Sequence, residues 1–318
     1  LSRDQIVNDV HKKLSVQYQP VSCGPRHSAV VRNGDLYTWG RSQQGRLGHS
    51  EVCQSVCPPT RVETLHMLKL KVDAVACGNE HTLVLTQQGV YGWGSSKYGQ
   101  VGVGTRHVYR RPMLLETLQS ETTVAVECGH YHSLALTADH QVYSWGWGVH
   151  GQLGHGHPED CLIPVHVRQL LNLSVVKLSA GYAHTLVLTE SGDVWSFGCG
   201  YFGQLGLGTN SKSTVPQKVN LQSSVPIVAI GTKYFHSIAV SSENKVYQWG
   251  LHPHNLRQVA SSLRIAKHSG AYIPEQTSYL IPALVEVTFV HGKITKVCCG
   301  SLHTILLTED GGLFIWGR

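Results

Sequence analysis

The chain alternates short apolar runs with clusters of turn-forming residues. HSLALT (132–137) is followed by a turn and then by QVYSWG (141–146), in which apolar and polar positions alternate. Runs of this length and period, bounded by Asn, Asp and Gly, are typical of β-strands joined by hairpins. The linking segments RNGD, TQQG, TADHQ, TESGD, SSENK and TEDGG each contain at least one of these residues. The local pattern therefore predicts an all-β protein.

The same pattern recurs six times along the chain. Each unit has a histidine followed by Ser or Thr; these are His27, His81, His132, His184, His236 and His303. An aromatic residue followed by Gly comes twelve or thirteen residues later, at Trp39, Trp93, Trp145, Phe197, Trp249 and Trp316. The histidines are 54, 51, 52, 52 and 67 residues apart. A proline and a further apolar run then complete about four strands per unit. Such repeats, arranged radially, predict a β-propeller; a series of separate β-sandwich domains is the alternative.

One glycine cluster raises the possibility of a nucleotide site. Gly146, Gly148 and Gly151 match G-x-G-x-x-G, the spacing that brings a backbone close to a dinucleotide pyrophosphate. However, Gly198, Gly200 and Gly203 repeat the pattern, and near-copies occur at 40–45 and 94–99. Each copy leads into a second turn cluster, whereas a dinucleotide loop opens into a helix. We therefore interpret these glycines as turn residues and expect no cofactor.

The combined repeat CGxxHSLALTxxGxVYSWGxxxxGQLG resembles that of the regulator of chromosome condensation family over about residues 20–318. This resemblance implies a seven-bladed β-propeller of four-stranded blades. Six units are visible here, and the sequence stops within the motif at Trp316 to Arg318. We therefore expect an incomplete closing blade and a chain that is one module of a larger protein. Because the founding member of the family acts on the small GTPase Ran, the resemblance also makes guanine-nucleotide exchange possible.

Two segments depart from the repeat. Residues 1–19 form an N-terminal segment with apolar residues on one helical face up to Leu14, which suggests a short helix that caps the ring. Unit five lacks the GQLG signature, and apolar residues at helical spacing predict an amphipathic helical insertion near 252–275. This helix would either cover blade five or bind a partner. Its candidate residues are Leu256, Arg257, Val259, Leu263 and Arg264.

Composition limits the classes of function. The 318 residues carry a net charge of +6, with 26 Lys and Arg against 20 Asp and Glu. These charges are scattered rather than gathered in a basic tract, so we expect no direct binding of nucleic acid. The nine cysteines are an odd number, and the sequence shows neither a secretory leader nor an apolar run of transmembrane length. These features favour a reducing compartment, and we expect the cytoplasm rather than the nucleus.

Candidate catalytic and metal sites are weak. Six equivalent histidines on six blades cannot converge on one ion, so we expect them to hydrogen-bond the backbone between or within blades. The periodic tryptophans are expected to pack the blades. His49, Cys53 and Cys57 are spaced as H-x3-C-x3-C, which permits zinc but lacks a fourth ligand; an ordinary reduced loop is the alternative. We predict neither catalytic residues nor a metal, and hence no enzyme activity.

The segment RHVYRRP is the main candidate for binding a partner outside the insertion. Arg106, Tyr109, Arg110 and Arg111 form a basic and aromatic patch suited to an acidic partner, although a merely solvated loop has the same composition. The sequence thus predicts a non-catalytic propeller that binds protein partners through its loops. The alternative is a guanine-nucleotide exchange factor for Ran, Rab or a related GTPase.

Overall fold

The computed structural model describes residues 13–51, 53–250, 279–301 and 303–317. In this part of the chain, consecutive strands form six antiparallel sheets, of which five have four strands and one has three. The first strand of each sheet packs against the first strand of the next. The six repeat units are therefore six blades of an all-β propeller, as predicted, and we number them 1 to 6 in chain order.

The strands of blades 1 to 3 follow one another without exchange between sheets. In blade 1 they are β1 (Val21–Cys23), β2 (His27–Arg32), β3 (Asp35–Arg41) and β4 (Ser55–Arg61). In blade 2 they are β5 (Val72–Cys77), β6 (His81–Thr86), β7 (Gly89–Gly94) and β8 (Tyr109–Leu114). In blade 3 they are β9 (Thr123–Cys128), β10 (His132–Thr137), β11 (Val142–Gly146) and β12 (Cys161–His166).

Blades 4 to 6 have the same order. In blade 4 the strands are β13 (Val175–Ala180), β14 (His184–Thr189), β15 (Val194–Gly198) and β16 (Ser213–Lys218). In blade 5 they are β17 (Ile227–Lys233), β18 (His236–Ser241), β19 (Val246–Gly250) and β20 (Ala283–Val285). In blade 6 they are β21 (Ile294–Cys299), β22 (His303–Thr308) and β23 (Leu313–Gly317). In the described residues, the connections contain one α-helix, α1 (Glu63–Met67), and 3₁₀ turns at Gln43–Gly45, Glu116–Leu118 and Arg168–Leu170.

The second and third strands of each blade form the predicted hairpins. In blade 1 the turn is Asn33-Gly34, with φ of 55° and 80°, flanked by the paired residues Arg32 and Asp35. Positive φ at both positions is the geometry that matches the twist of two antiparallel strands. The hydrophobic core lies between these sheets. Every residue of β6, β10, β14 and β18 is buried, because neighbouring blades cover both faces.

Consecutive strands are antiparallel neighbours in every blade, so the connections alternate between two opposite ends of the propeller. The loop end carries the connections from first to second and from third to fourth strands. Its described segments are 24–26, 42–51, 53–54, 78–80, 95–108, 129–131, 147–160, 181–183, 199–212, 234–235, 279–282 and 300–301. The hairpin end carries the hairpin turns and the connections between blades.

The N-terminal segment crosses the hairpin end. The Leu14 N–H donates to the Ala138 carbonyl (2.9 Å) and the Gln17 N–H to the Val124 carbonyl (2.8 Å), both in blade 3. The Gln17 Nε2 donates to the Val176 carbonyl of blade 4 (2.8 Å), and the Gln19 N–H to the Asp73 carbonyl of blade 2 (3.2 Å). Residues 13–18 are not helical. The segment thus lies across the first strands of three blades as an irregular strap.

Two predicted helices cannot be compared with the structure. The remainder of the predicted N-terminal helix, residues 1–12, lies outside the described residues, and so does the whole predicted insertion near 252–275. Leu256, Arg257, Val259, Leu263 and Arg264 therefore stay predictions. Among the helices that are described, none is both long and apolar enough to cross a membrane.

Candidate partner-binding face

The repeat histidines join neighbouring blades beneath the loop end. In His27, His81, His132 and His184 the Nε2 atom lies 2.8–3.0 Å from a hydroxyl of the next blade. These hydroxyls belong to the Ser or Thr that follows the next histidine in sequence: Thr82, Ser133, Thr185 and Ser237. The sequence predicts direct hydrogen bonds from these histidines to the backbone. In the structure, these four histidines are linked to the backbone through a hydroxyl group.

Each hydroxyl passes the interaction on to a main-chain carbonyl. Ser133 Oγ donates to the Gln100 carbonyl (2.7 Å), and Trp145 Nε1 donates to the same oxygen (3.0 Å). The Arg46 and Gln204 carbonyls likewise accept from a hydroxyl and a Trp. Each hydroxyl donates its proton to a carbonyl. Its oxygen must therefore accept a hydrogen bond from the histidine Nε2–H. We call this chain of histidine, hydroxyl and carbonyl the interblade relay.

The histidines of the interblade relay are held in the neutral form by burial. Burial is the largest cause that lowers the pKa of His27, His81, His132 and His184, in each case to about 3. At neutral pH these imidazoles are therefore uncharged and serve the packing of the propeller rather than acid-base chemistry. The tryptophans lie in the same layer: Trp145 packs against Leu83 and Leu115 of blade 2.

The glycines of the G-x-G-x-x-G cluster at 146–151 turn the chain and let other main-chain segments approach closely. Gly146 and Gly151 have φ of 98° and 84°. A Cβ on Gly148 would overlap the Glu159 carbonyl, and one on Gly151 would lie 2.6 Å from the Ser213 carbonyl of blade 4. The positive φ values at Gly146 and Gly151 and the close main-chain neighbours are features of tight turns, as the turn interpretation predicts.

A row of aromatic side chains covers the loop end of blades 2 to 5. The Tyr98 ring lies 5.2 Å from Tyr131 and 5.7 Å from Trp147, measured between ring centroids. The Trp147 ring lies 6.2 Å from Tyr182, which in turn lies 6.0 Å from Tyr234. All five rings are half-buried, so each presents one part to the blade and another to solvent. We call these five residues the aromatic row.

His130 lies within the aromatic row. Its ring is 4.3 Å from Tyr182 and 4.5 Å from Tyr131. Burial, followed by the nearby cations Lys233 and Arg26, lowers the pKa of His130 to about 4. The imidazole is therefore neutral at physiological pH and extends the uncharged surface at the mouth of the central channel.

Blades 1 and 2 present basic side chains at the same end. Arg46 replaces the Gln of the repeat and is only 2% exposed. Its guanidinium donates to the Gln43 carbonyl (2.7 Å) and the Asn79 carbonyl (3.0 Å) and lies 3.8 Å from Glu80. Arg46 thereby fastens the Asn79–Glu80 connection of blade 2 to blade 1, beneath a more exposed group of cations.

The four candidate residues of RHVYRRP have different surroundings. Arg106 donates to the Lys97 carbonyl (2.7 Å) and to Asp160 of blade 3 (3.1 Å). The half-buried Tyr109 packs against the core between blades 1 and 2. Arg111 donates to Ser50 of blade 1 (2.8 Å), and Arg110 is exposed. Arg110 and Arg111 therefore stay available to solvent, whereas Arg106 and Tyr109 help to hold neighbouring loops.

The histidine and cysteines of the possible zinc motif do not assemble. His49 Nε2 lies 3.0 Å from Thr38 Oγ1, and Cys53 and Cys57 are exposed. Within the described residues, no group of three His, Cys, Asp or Glu side chains has a geometry that suits a metal ion.

Sequence reasoning missed the aromatic row. Tyr131, Tyr182 and Tyr234 occupy the variable positions between the glycine and the histidine of each repeat, where blades 1 and 2 have Pro25-Arg26 and Asn79-Glu80. The difference between units at these positions is visible in the sequence. A comparison of the residues just before each repeat histidine identifies these three tyrosines, because the repeat places them at one end of the channel.

Comparison with known proteins gives the same fold. The RCC1-like domain profile matches residues 2–262, and the regulator of chromosome condensation (RCC1) repeat profile matches residues 294–318. The crystal structure of Prp20p from Saccharomyces cerevisiae superposes with a TM-score of 0.74 at 21% identity, covering 93% of this chain and 71% of Prp20p. That structure is described together with the binding of Prp20p to Gsp1p and histones.

Two similar sequences belong to longer proteins. The chain is 33% identical to the ultraviolet-B receptor UVR8 of Arabidopsis thaliana, over 74% of this chain and 53% of UVR8. It is also 33% identical to the human E3 ubiquitin-protein ligase HERC2, over 91% of this chain and 6% of HERC2. The chain thus spans about half the length of the first relative and a small part of the second.

Proposed function

The chain belongs to the family of RCC1-like domains, and from that premise we propose that it is a non-catalytic module that binds a protein partner through its loop end. The aromatic row is the observation that carries this proposal. Half-exposed Tyr and Trp side chains are typical of protein interfaces, because each offers a large apolar surface together with a polar group. They are held on a rigid framework by the interblade relay directly beneath them.

Removal of part of the aromatic row tests this function. We expect Trp147→Ala combined with Tyr182→Ala to abolish the capture of specific partners, because these two rings form the centre of the row. Partners would be identified by proximity labelling with the full-length protein. The matched control is Met67→Ala combined with Leu171→Ala, which removes two exposed apolar side chains at the hairpin end. An unchanged set of labelled proteins in the aromatic variant would contradict the proposal.

Guanine-nucleotide exchange on a small GTPase is the second candidate function, and it rests on the family resemblance. Exchange requires a surface that remodels the switch regions of the GTPase and needs no covalent catalyst. We would measure nucleotide release from Ran, Rab, Rho and Arf proteins in the presence of the full-length protein. Acceleration that is lost in the aromatic variant would favour exchange over a purely scaffolding role.

Two further proposals concern the whole protein. We propose that the complete ring has seven blades, six of which this chain supplies, because the family resemblance implies seven. A structure of the full-length protein should show a further sheet between blades 6 and 1.

We also propose a cytoplasmic location, which fluorescence imaging of the tagged full-length protein tests directly.

A further inference from the structure

The two ends of the propeller differ in how their charges are paired. Seven of the ten ion pairs among the described residues lie at the hairpin end. The loop end has the other three: Arg46 with Glu80, Arg106 with Asp160, and His157 with Glu159. On the loop-end side of blades 1 and 2, five exposed cations have no ion-pair partner among the described residues: Arg26, Arg41, Lys97, Arg110 and Arg111. We call these five residues the basic arc.

The basic arc is crowded with like charge. The Arg41 N–H donates to the Arg26 carbonyl (2.8 Å), so these two arginines leave the blade side by side. Burial is the largest cause that lowers the pKa of Arg46, and the positive charges of Arg26 and Arg41 lower it further. Glu80, at 3.8 Å from Arg46, is the nearby counter-charge. A negatively charged group bound next to Arg46 would therefore be stabilised by the positive charges of Arg26, Arg41 and Arg46.

A cleft lies next to these cations. It has a volume of about 360 Å³ and is lined by Gln44, Glu80, Ser95, Lys97, Tyr98, Arg106, Val108 and Tyr131. Lys97 Nζ lies 5.2 Å from the centroid of the Tyr98 ring. The cleft is continuous with the aromatic row through Tyr98 and Tyr131, whose rings are 5.2 Å apart. It offers a cation at its edge and aromatic surface along its wall.

Arg110 and Arg111 extend the basic arc along the outer side of blade 2. The main chain at Arg110 packs against Gly45, next to Gln44 of the cleft. Arg111 Nε donates to Ser50 (2.8 Å) and so lies over the loop of blade 1. Of the basic arc, Lys97 thus lines the cleft itself, and Arg110 lies beside the Gln44 side of it.

We infer that the basic arc binds an Asp- and Glu-rich segment of a protein partner, laid across the loop end of blades 1 and 2. This inference rests on the proposed function and adds the chemistry of the partner. Carboxylates would pair with Arg26, Arg41 and Lys97, while apolar atoms of the segment would contact Tyr98 and Tyr131. Unpaired cations beside an aromatic cleft are complementary to an acidic peptide.

The acids within this region favour a peptide over a nucleic acid. Glu80 and Asp160 lie among the cations. A nucleic-acid backbone carries a charge at every phosphate and would be repelled at both carboxylates. A peptide can instead place neutral residues opposite them.

Fluorescence anisotropy with defined probes tests the inference on the full-length protein. The probes are a fluorescein-labelled peptide in which Glu alternates with Ser (the glutamate peptide), the same peptide with Gln in place of Glu (the glutamine peptide) and a single-stranded oligo-dT. We expect the glutamate peptide to bind and its affinity to fall as salt is raised, because the contacts are between exposed charges. Equal binding of the glutamine peptide, or tighter binding of oligo-dT, would overturn the inference.

Charge-reversal variants locate the site. Arg41→Glu combined with Lys97→Glu should weaken binding of the glutamate peptide at least about tenfold. The matched control, Lys218→Glu combined with Lys245→Glu, makes the same change of net charge at the hairpin end and should leave the affinity within about twofold. Equal losses in the two double variants would contradict the assignment. Arg41→Gln combined with Lys97→Gln provides a second, milder variant, with an expected loss of about threefold.

The peptide experiment and the partner experiment can fail separately. Loss of labelled partners in the aromatic variant reports on the proposed function, whereas peptide binding reports on the basic arc. If partners depend on Trp147 and Tyr182 but the glutamate peptide does not bind, the partner is not acidic and only the further inference is wrong.

Discussion

The loop end and the hairpin end of this propeller are built from the same repeat, yet they differ in composition and in how they are held. Among the described residues, aromatic side chains in the loop-end connections are Tyr98, Tyr131, Trp147, Tyr182, Tyr201, Phe202, Tyr234, Phe235 and Tyr279. The hairpin-end connections contain only Tyr18 and Phe289 in their described part. They are instead acidic, with Glu63, Glu116, Glu121, Asp139, Glu190, Asp193, Glu243, Glu286, Glu309 and Asp310.

The two ends also differ in the interactions beneath them. The interblade relay lies under the loop end and uses buried neutral groups, so its hydrogen bonds are shielded from water and salt. The hairpin end relies on exposed ion pairs and on the strap of residues 14–19, whose main chain bonds to blades 2 and 3 and whose Gln17 side chain bonds to blade 4. One repeat framework can therefore be held at one end by buried neutral groups and at the opposite end by exposed ion pairs. This difference in how the two ends are held leads to four predictions.

Acid should destabilise the protein chiefly through the interblade relay. The folded-state pKa of His27, His81, His132 and His184 is about 3, below the value of about 6.5 expected when unfolded. Their contribution is therefore present above pH 6.5 and is lost as pH falls toward 3. Each histidine should reduce the free energy of unfolding by about 1 kcal/mol per pH unit within this range.

One half-buried acid, Glu127 on β9, has the opposite pH dependence. Burial raises the pKa of Glu127 to about 7, so its contribution falls as pH rises through the range above its ordinary value. Four histidines outweigh this one carboxyl. Urea denaturation between pH 7 and pH 4 would measure the net slope. A midpoint that does not change over this range would contradict the role assigned to the relay.

The second prediction concerns the tryptophan that shares the relay carbonyl. Trp145→Ala should reduce the free energy of unfolding by about 3–5 kcal/mol, because it leaves a cavity between blades 2 and 3. Trp145→Phe keeps most of the volume but loses the bond to the Gln100 carbonyl, and we expect a cost of about 1 kcal/mol. Phe197, at the equivalent position of blade 4, shows that the repeat accepts phenylalanine. Equal losses in the two variants, measured by urea denaturation, would show that the hydrogen bond rather than the volume dominates.

The third prediction addresses the strap at the hairpin end. Gln17→Ala combined with Gln19→Ala removes the side-chain bonds to the Val176 and Val75 carbonyls. We expect stability to fall by about 2 kcal/mol, measured as a lower denaturation midpoint. Binding of the glutamate peptide should remain unchanged, because the strap lies at the end opposite the basic arc. A parallel loss of binding would show that the two ends are coupled and would break the comparison.

The fourth prediction concerns the exposed ion pairs. Lys218 Nζ lies 2.9 Å from Asp193, but both side chains are more than a third exposed. Solvent and salt screen such pairs, so Lys218→Ala should change stability by less than about 0.5 kcal/mol. Thermal denaturation of this variant beside wild type measures the effect. A loss above about 1 kcal/mol would mean that the hairpin end depends on its ion pairs more than their exposure indicates.

Much of the fold was predictable because the repeat is regular. A histidine, a hairpin turn such as Asn33-Gly34 and a tryptophan recur at constant spacing, and each spacing corresponds to a local structure. The candidate site was predicted less well. Of its four candidates in RHVYRRP, Arg110 and Arg111 are exposed, but Tyr109 packs inward and Arg106 pairs with Asp160, since their surroundings come from other blades.

The sequence by itself determined the all-β character, the six units and the hairpins, because these depend on interactions between residues that are near one another along the chain. Only the tertiary structure decided which side chains share a surface. Tyr98, Trp147 and Tyr182 are far apart in sequence and meet because radial packing brings one end of every blade to the same face. The unpaired charge of Arg26, Arg41 and Lys97 likewise follows from which carboxylates the neighbouring blades place within reach, and linear spacing does not record that.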